Sequence, residues 1–144
     1  MYYHEEKLDL LKAPRNYHIA HCISADFALG RGVARQIQAT YDMRHHLIEE
    51  YGQWRGSSQI VGSCLACLDV LNLVTKVRYY EKPTMDTLRS ALEDMRLYCC
   101  EKGIRKVAMP RIGCGLDLLK WEEVSALIQE VFKYSRIEIM VCIQ

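Results

Sequence analysis

Two glycine-bearing loops are the first features of this chain with an evident chemical use. Gly30-Arg31-Gly32 precedes one predicted helix, and Gly113-Cys114-Gly115 precedes another. Glycine permits positive φ and close backbone approach, so consecutive N–H groups can converge on an anion beside a helix N-terminus. Neither loop is a Walker A or dinucleotide-binding motif, and a tight turn explains either one taken alone. Two such loops in one small domain favour a diphosphate ligand.

Lys76 and Asp117 are the ionisable residues whose positions best suit catalysis. Lys76 ends the apolar run VLNLVT, where most lysines are simply solvated. In a ligand cleft, desolvation would favour its neutral amine, which is a nucleophile. Asp117 ends the second glycine loop, where its simplest role is a helix cap. Each residue therefore has a structural and a catalytic interpretation.

Other combinations of reactive residues are weaker candidates. Cys64 and Cys67 have CxxC spacing, but a second pair is missing and the segment has the pattern of a strand. His21, Ser24 and Asp26 have the residue types of a hydrolase triad, yet residues this close in sequence do not readily adopt triad geometry. We expect no metal site.

Strands alternating with amphipathic helices form the scaffold that must position these residues. The patterns predict strands at 8–11, 17–23, 58–64, 66–75, 104–109 and 136–143, and helices at 33–41, 43–51, 84–102 and 121–131, with Asp42 as the N-cap of the second helix. This alternation predicts an α/β fold with a mixed or largely parallel sheet and helices on both faces. Ligands of such sheets bind beyond the carboxyl ends of the strands.

The composition limits the possible classes of function. A chain of 144 residues suffices for one domain with a core and is too short for two. The formal net charge of +1 argues against a large nucleic-acid surface but not against a nucleotide-sized ligand. Seven cysteines without an extracellular pattern, and no signal peptide, indicate an intracellular protein. The apolar stretch 60–74 is interrupted by polar residues and falls short of the ~20 residues of a membrane span.

Three segments closely resemble the macrodomain family: HCISADFALGRGVA (21–34), LVTK (73–76) and MPRIGCGLDLLKWEEVSALIQEVF (109–132). They are most similar to its terminal ADP-ribose protein glycohydrolase subgroup, also described as O-acetyl-ADP-ribose deacetylases. The match runs from about Asp9 to the C-terminus and leaves residues 1–7 outside it. The resemblance implies a single macrodomain over residues 1–144, with a three-layer α/β/α fold and a mixed central sheet. It also implies an ADP-ribose cleft at the strand ends and no cofactor.

The resemblance further implies roles for individual residues. Lys76 corresponds to the lysine that attacks C1″ of the distal ribose to form a lysyl-ADP-ribose intermediate, and Asp117 to the acid/base that resolves it. Asp9 corresponds to a contact with the adenine amino group. The remaining implied contacts are Leu10 beside Asp9, Ser24 on the second strand, Gly30, Arg31, Gly32 and Val33 around the distal ribose, Arg111, Ile112, Gly113, Cys114, Gly115 and Leu116 at the diphosphate, and Gln144 near the ligand.

The implied activity is removal of terminal mono-ADP-ribose from acidic protein side chains and deacylation of O-acetyl-ADP-ribose. A non-catalytic ADP-ribose reader and an ADP-ribose-1″-phosphate phosphatase are alternatives, although Lys76 and Asp117 favour the hydrolase. The chain departs from the family pattern at Leu8, Arg31 and Cys142. The expected partners are ADP-ribose and ADP-ribosylated proteins, without nucleic acid or membrane. We expect a monomer in the nucleus, the cytoplasm or both.

Overall fold

The computed structural model describes all 144 residues, and one mixed six-stranded sheet organises them. Its strands are β1 (Tyr2–Lys7), β2 (His18–Ser24), β3 (Cys64–Cys67), β4 (Val70–Lys76), β5 (Lys106–Met109) and β6 (Glu138–Ile143). The spatial order is β1-β6-β5-β2-β4-β3, and only the β3–β4 pair is antiparallel. The other five strands therefore end at the same edge of the sheet.

Helices cover both faces of this sheet. They are α1 (Gly32–Tyr41), α2 (Met43–Tyr51), α3 (Met85–Lys102) and α4 (Trp121–Phe132). Ile37 of α1 and Leu47 of α2 belong to one core cluster, and Leu92 of α3 and Ile128 of α4 belong to the other. Each cluster contains 18 buried residues, so the sheet has a hydrophobic core of the same number of residues on each face. The predicted three-layer α/β/α fold with a mixed sheet is confirmed. None of the four helices combines the length and apolar character required to cross a membrane.

The helix α3 follows the prediction closely because its ends carry strong local signals. Thr84 caps the N-terminus: its side chain accepts from the Thr87 N–H, and the Thr84 N–H donates to Thr87 Oγ1, both at 3.1 Å. Gly103 ends the helix in the left-handed region, with φ of 70°. Capping at both ends fixes the helix bounds independently of the tertiary structure.

Two predicted strands are wrong. The segment 8–11 is not a strand: the Asp9 carboxylate accepts from the Leu11 N–H at 3.1 Å and starts a 3-10 turn, Leu10–Lys12. Ser57 starts a similar turn at Ser58–Ile60, so the strand predicted at 58–64 is wrong except at Cys64, where β3 begins. In both places a side-chain oxygen satisfies a backbone N–H locally, which competes with strand pairing.

Asp42 does not cap α2 with its side chain. It has φ of 52° and joins α1 to α2, while its carboxylate accepts from Gln38 Nε2 at 3.3 Å. Ile48 of α2, predicted to face inward, is 41% exposed. The tight left-handed junction between the two helices therefore replaces the conventional cap that the sequence suggested.

Residues 1–7, which the resemblance does not cover, contribute an edge strand. β1 pairs in parallel with β6, from Tyr2 opposite Glu138 to Lys7 opposite Ile143. Its pattern, YYHEEK, lacks the apolar alternation of a half-buried strand. The N-terminal segment is therefore part of the sheet and reaches the loop after β5 through side-chain contacts described below.

Candidate active site

A cleft of about 780 Å³ opens at the carboxyl ends of β2 and β4. Its walls come from the end of β2, the loop into α1, the segment after β4 and the loop after β5. Twelve of the sixteen residues predicted to form the site line it: Ser24, Gly30, Arg31, Gly32, Val33, Lys76, Arg111, Ile112, Gly113, Gly115, Leu116 and Asp117. The structure thus brings both glycine loops and both candidate catalytic residues to one cavity.

Lys76 and Asp117 form an ion pair inside this cleft. Lys76 Nζ donates to Asp117 Oδ1 at 2.7 Å, and the side chains are only 14% and 17% exposed. Lys76 is the last residue of β4, and its carbonyl accepts from the Ala25 N–H at 2.9 Å, which fixes its backbone against the end of β2. Limited solvent strengthens the attraction and makes either partner costly to remove alone.

Asp117 does not cap the helix that follows it. α4 begins at Trp121, and the loop from Pro110 to Lys120 is closed by its own hydrogen bonds. The Leu119 N–H donates to the Gly113 carbonyl at 2.7 Å. Gly113 has φ of 74°, and an added Cβ would lie 2.8 Å from Leu119 Cδ1. The loop therefore requires glycine at this position to hold Asp117 against Lys76.

β1 supports the same loop from the side. Glu5 of β1 accepts from Trp121 Nε1 at 3.1 Å and lies 3.6 Å from a guanidinium nitrogen of Arg111. The Arg111 guanidinium also lies over the Trp121 ring, 5.5 Å from its centre. The edge strand that the sequence failed to predict thus positions one wall of the cleft.

Asp26 organises the opposite wall, the loop between β2 and α1. Its carboxylate accepts from Ser24 Oγ at 2.5 Å, from the Ala28 N–H at 3.1 Å and from the Tyr79 N–H at 2.9 Å. Phe27, between them, has a left-handed φ of 58°. The Asp-x-Ala hydrogen bond is an Asx turn, a local signal that could have identified this role from the sequence. Ser24 and Asp26 therefore shape a loop and do not form a triad with His21.

His21 and Cys22 line the cleft as uncharged groups. Burial lowers the pKa of His21 to about 4, and its Nε2 pairs with Asn72 Oδ1 at 2.6 Å. Burial, aided by the negative charge of Asp117, raises the pKa of the Cys22 thiol to about 12. A neutral imidazole and a protonated thiol leave Lys76 as the nucleophile of the cleft that is best placed beside a base.

Four predicted site residues do not line the cleft. Asp9 and Leu10 lie in the turn after β1, where Leu10 is buried in the core under α1 and α2. The Cys114 thiol donates to the Ile112 carbonyl at 3.3 Å, and Gln144 is exposed beyond β6. Their ligand contacts remain predictions from the resemblance.

Among the cleft residues that the sequence patterns missed are Tyr79, Tyr80 and Lys82. They belong to the segment VRYYEKP (77–83) directly after Lys76. Lys82 Nζ donates to the Leu116 carbonyl at 2.6 Å and so connects this segment to the loop that carries Asp117. The sequence signal that could have identified this segment as part of the site is the pair of adjacent aromatic residues in an otherwise polar loop.

The cysteines of the chain are all free thiols. Burial raises the pKa of Cys67 to about 12, and the pKa of Cys64 is raised for the same reason. No group of three or more His, Cys, Asp or Glu side chains is arranged to hold a metal ion.

Fold and site together define an α/β domain with a cleft of nucleotide size at its strand ends. The chain belongs to the Macro domain family, whose model matches residues 20–128. It is 38% identical over 135 residues to human ADP-ribose glycohydrolase OARD1, covering 94% of this chain and 87% of that protein. The Bos taurus protein of the same name matches with the same identity and coverage.

Solved structures share the fold along the whole chain. The macrodomain of Thermus aquaticus DarG has a TM-score of 0.82 at 23% identity and covers 99% of this chain and 98% of that one. Thermosipho africanus DarTG, solved in complex with ADP-ribose, has a TM-score of 0.80 at 16% identity. That match covers 100% of this chain and 42% of the DarTG chain.

Proposed function

We propose that this chain is a hydrolase that cleaves the ester between a terminal ADP-ribose and an acidic protein side chain. The observation that carries the proposal is the 2.7 Å pair of Lys76 and Asp117 inside the cleft. The pair supplies a nucleophile and a proton acceptor at one point. Membership of the Macro domain family, and relatives named ADP-ribose glycohydrolase, support ADP-ribose as the ligand.

The first step forms a covalent intermediate on Lys76. Transfer of the Lys76 ammonium proton to Asp117 leaves a neutral amine, which attacks C1″ of the distal ribose. The Nζ–C1″ bond forms as the bond between C1″ and the ester oxygen breaks, and the protein side chain leaves as a carboxylate. Dividing the substitution into two steps lowers the barrier of each.

The second step releases ADP-ribose. A water molecule attacks C1″ while the Nζ–C1″ bond breaks, and Asp117 mediates the proton transfer from the water to the departing amine. Asp117 then releases one proton to solvent, which restores its ion pair with Lys76, and the net reaction consumes one water for each ester. Both steps use the same two side chains, while the carboxylate product leaves and water enters between them.

The diphosphate would be held by backbone rather than by a basic surface. The N–H groups of Gly113 and Gly115 donate to no other group of the protein. The N-terminal end of α1, whose first N–H groups have no partner within the helix, lines the same cleft. This arrangement is compatible with the net charge of +1.

The proposal extends to a second substrate, to the oligomeric state and to the cellular compartment. We propose that the chain also deacylates O-acetyl-ADP-ribose, because that molecule too is a carboxylic ester of ADP-ribose. We further propose that it acts as a monomer on ADP-ribosylated proteins in the nucleus or the cytoplasm. Seven free thiols support a reducing compartment.

The proposal is tested by release of ADP-ribose from a peptide modified on glutamate. Wild-type protein and Lys133→Ala, a lysine exposed beyond α4, should turn over equally. Lys76→Ala should lose turnover, at least about a thousandfold, because no other amine forms an ion pair with Asp117. Full activity of Lys76→Ala would refute the covalent route. Tight ADP-ribose binding by wild-type protein without turnover would instead identify a reader.

A further inference from the structure

The segment after β4 places two exposed tyrosines at the mouth of the cleft. Tyr79 and Tyr80 are 61% and 64% exposed, and both line the cavity that contains Lys76. Their rings meet edge to face, with 5.3 Å between centres. Tyrosine is enriched in the energetic centres of protein interfaces because it offers a large contact area with few rotatable bonds. We refer to Tyr79 and Tyr80 as the tyrosine pair.

The tyrosine pair stands on an ordered backbone. The Tyr79 N–H donates to Asp26 Oδ2 at 2.9 Å, which ties it to the loop before α1. Lys82 Nζ donates to the Leu116 carbonyl at 2.6 Å, which ties the other end to the loop of Asp117. A surface whose backbone is already fixed loses less entropy on binding. The pair is therefore suited to contact a ligand without rearrangement.

Exposed apolar side chains lie at the reacting end of the cleft or next to it in the sequence: Tyr79, Tyr80 and Leu116 line the cavity, and Leu118 directly follows Asp117. The tyrosine pair follows Lys76 by three and four residues, and Leu116 and Leu118 flank Asp117. These leucines are 58% and 73% exposed. An ADP-ribose moiety in the cleft directs its C1″ to Lys76, so whatever is attached to C1″ must leave the cleft past these side chains.

The charges of the cleft indicate what that attached group is. Its lining contains four basic residues, Arg31, Lys76, Lys82 and Arg111, and the single acid Asp117. Arg31 is exposed and forms no side-chain hydrogen bond or ion pair. Apolar contacts beside an unpaired cation suit a polypeptide with acidic residues near its modified side chain. The tyrosine rings would also accept a stacked base, but the two leucines beside them offer nucleic acid neither a stacking plane nor a hydrogen bond, so the four side chains together favour a polypeptide.

We infer that the tyrosine pair, with Leu116 and Leu118, binds the polypeptide that carries the modified acidic side chain. The protein thereby selects ADP-ribosylated polypeptides over small ADP-ribosyl esters. This inference rests on the proposed function and adds to it the residues that determine specificity for the leaving group.

The test compares two substrates with the same ester bond. One is a glutamate ADP-ribosyl ester within an acidic peptide, and the other is that ester on a single capped glutamate. The double variant Tyr79→Ala/Tyr80→Ala should lower kcat/KM for the peptide by at least about tenfold, a ratio that corresponds to 1.4 kcal/mol. Its kcat/KM for the capped glutamate, and its Kd for free ADP-ribose, should stay within about twofold of wild type.

Two control variants separate recognition from folding. Tyr134→Ala alters a tyrosine that is 92% exposed in the turn before β6, and it should leave both substrates unaffected. Tyr79→Phe/Tyr80→Phe keeps the ring area and should retain the activity on the peptide. Unfolding temperatures of all variants should agree, because the altered side chains are exposed.

Several outcomes would overturn the inference. An equal loss on both substrates, or a weaker Kd for ADP-ribose, would place the tyrosine pair in the ADP-ribose site. An unchanged kcat/KM for the peptide, or a defect confined to an ADP-ribosylated oligonucleotide, would also contradict it. If wild-type protein cleaves neither ester, both the proposed function and this inference fail. If all variants cleave both esters equally, only this inference fails.

Discussion

Gly113 is the residue whose replacement most directly tests how the loop of Asp117 is held. Its φ of 74° lies in the left-handed region, and an added Cβ would lie 2.8 Å from Leu119 Cδ1. The left-handed conformation costs an L-residue about 1–2 kcal/mol. Displacing the Leu119 side chain from its rotamer costs about 0.5–1.5 kcal/mol more. Gly113→Ala should therefore lower the free energy of unfolding by about 1.5–3.5 kcal/mol.

Two other glycines separate these contributions. Gly103 has φ of 70° and open space around its Cβ position, so Gly103→Ala carries only the backbone cost, about 1–2 kcal/mol. Gly115 has neither positive φ nor a close neighbour. Gly115→Ala should thus be neutral, or stabilise by up to about 1 kcal/mol through the reduced entropy of the unfolded chain. Urea unfolding of the three variants gives the comparison.

The expected order of unfolding free energy is Gly115→Ala highest, then Gly103→Ala, then Gly113→Ala. Equal stability of the Gly113 and Gly115 variants would refute the reasoning, because it would show that the loop adopts another conformation at little cost. A Gly113 variant as stable as the Gly103 variant would show that Leu119 moves freely, and only the steric contribution would then be wrong.

Two further predictions follow from individual side chains. Burial lowers the pKa of His21 to about 4, so between about pH 4 and 6.5 the unfolded chain binds a proton that the folded protein does not. The free energy of unfolding should therefore rise with pH across this window, and His21→Gln should flatten the rise. Urea unfolding at each pH measures both. If the variant shows the same pH slope as wild type, the imidazole of His21 is not buried in its neutral form. Lys82→Met removes the hydrogen bond to the Leu116 carbonyl while keeping the length of the side chain. It should lower kcat/KM on an ADP-ribosyl ester by about fivefold, equivalent to ~1 kcal/mol. Unfolding should be unchanged because Lys82 is exposed. Unaltered kinetics would show that the hydrogen bond of Lys82 does not position the loop that carries Asp117.

The sequence predicted those parts of the fold that local chemistry determines. The bounds of α3 follow from Thr84 and Gly103, which cap it without help from the rest of the protein. The glycine loops and Lys76 were placed at the strand ends because a largely parallel sheet leaves its ligand site there. The pairing of Lys76 with Asp117, 41 residues apart, came from the resemblance, since spacing alone favoured a solvated lysine and a helix cap.

The remaining features depend on contacts that no local pattern records. β1 forms because β6 offers an open edge, and its exposed YYHEEK sequence carries no strand signal of its own. From the sequence alone, Asp9 is compatible with a strand or with a cap. The hydrogen bond from the Leu11 N–H to its carboxylate shows that it is a cap. The tyrosine pair joins the site only because Asp26 and Lys82 fold its segment across the cleft.

The covalent route through Lys76 is tested most directly by the intact mass of Asp117→Ala after incubation with a glutamate-ADP-ribosylated peptide. In Asp117→Ala, the Lys76 ammonium loses its proton to solvent, so the first step still occurs. Without Asp117 to resolve the intermediate, the protein should gain the mass of one ADP-ribose, and peptide mapping should locate it on Lys76. The double variant Lys76→Ala/Asp117→Ala should gain no mass. Turnover by wild-type protein with no adduct on Asp117→Ala, or an adduct on any other residue, would contradict the mechanism.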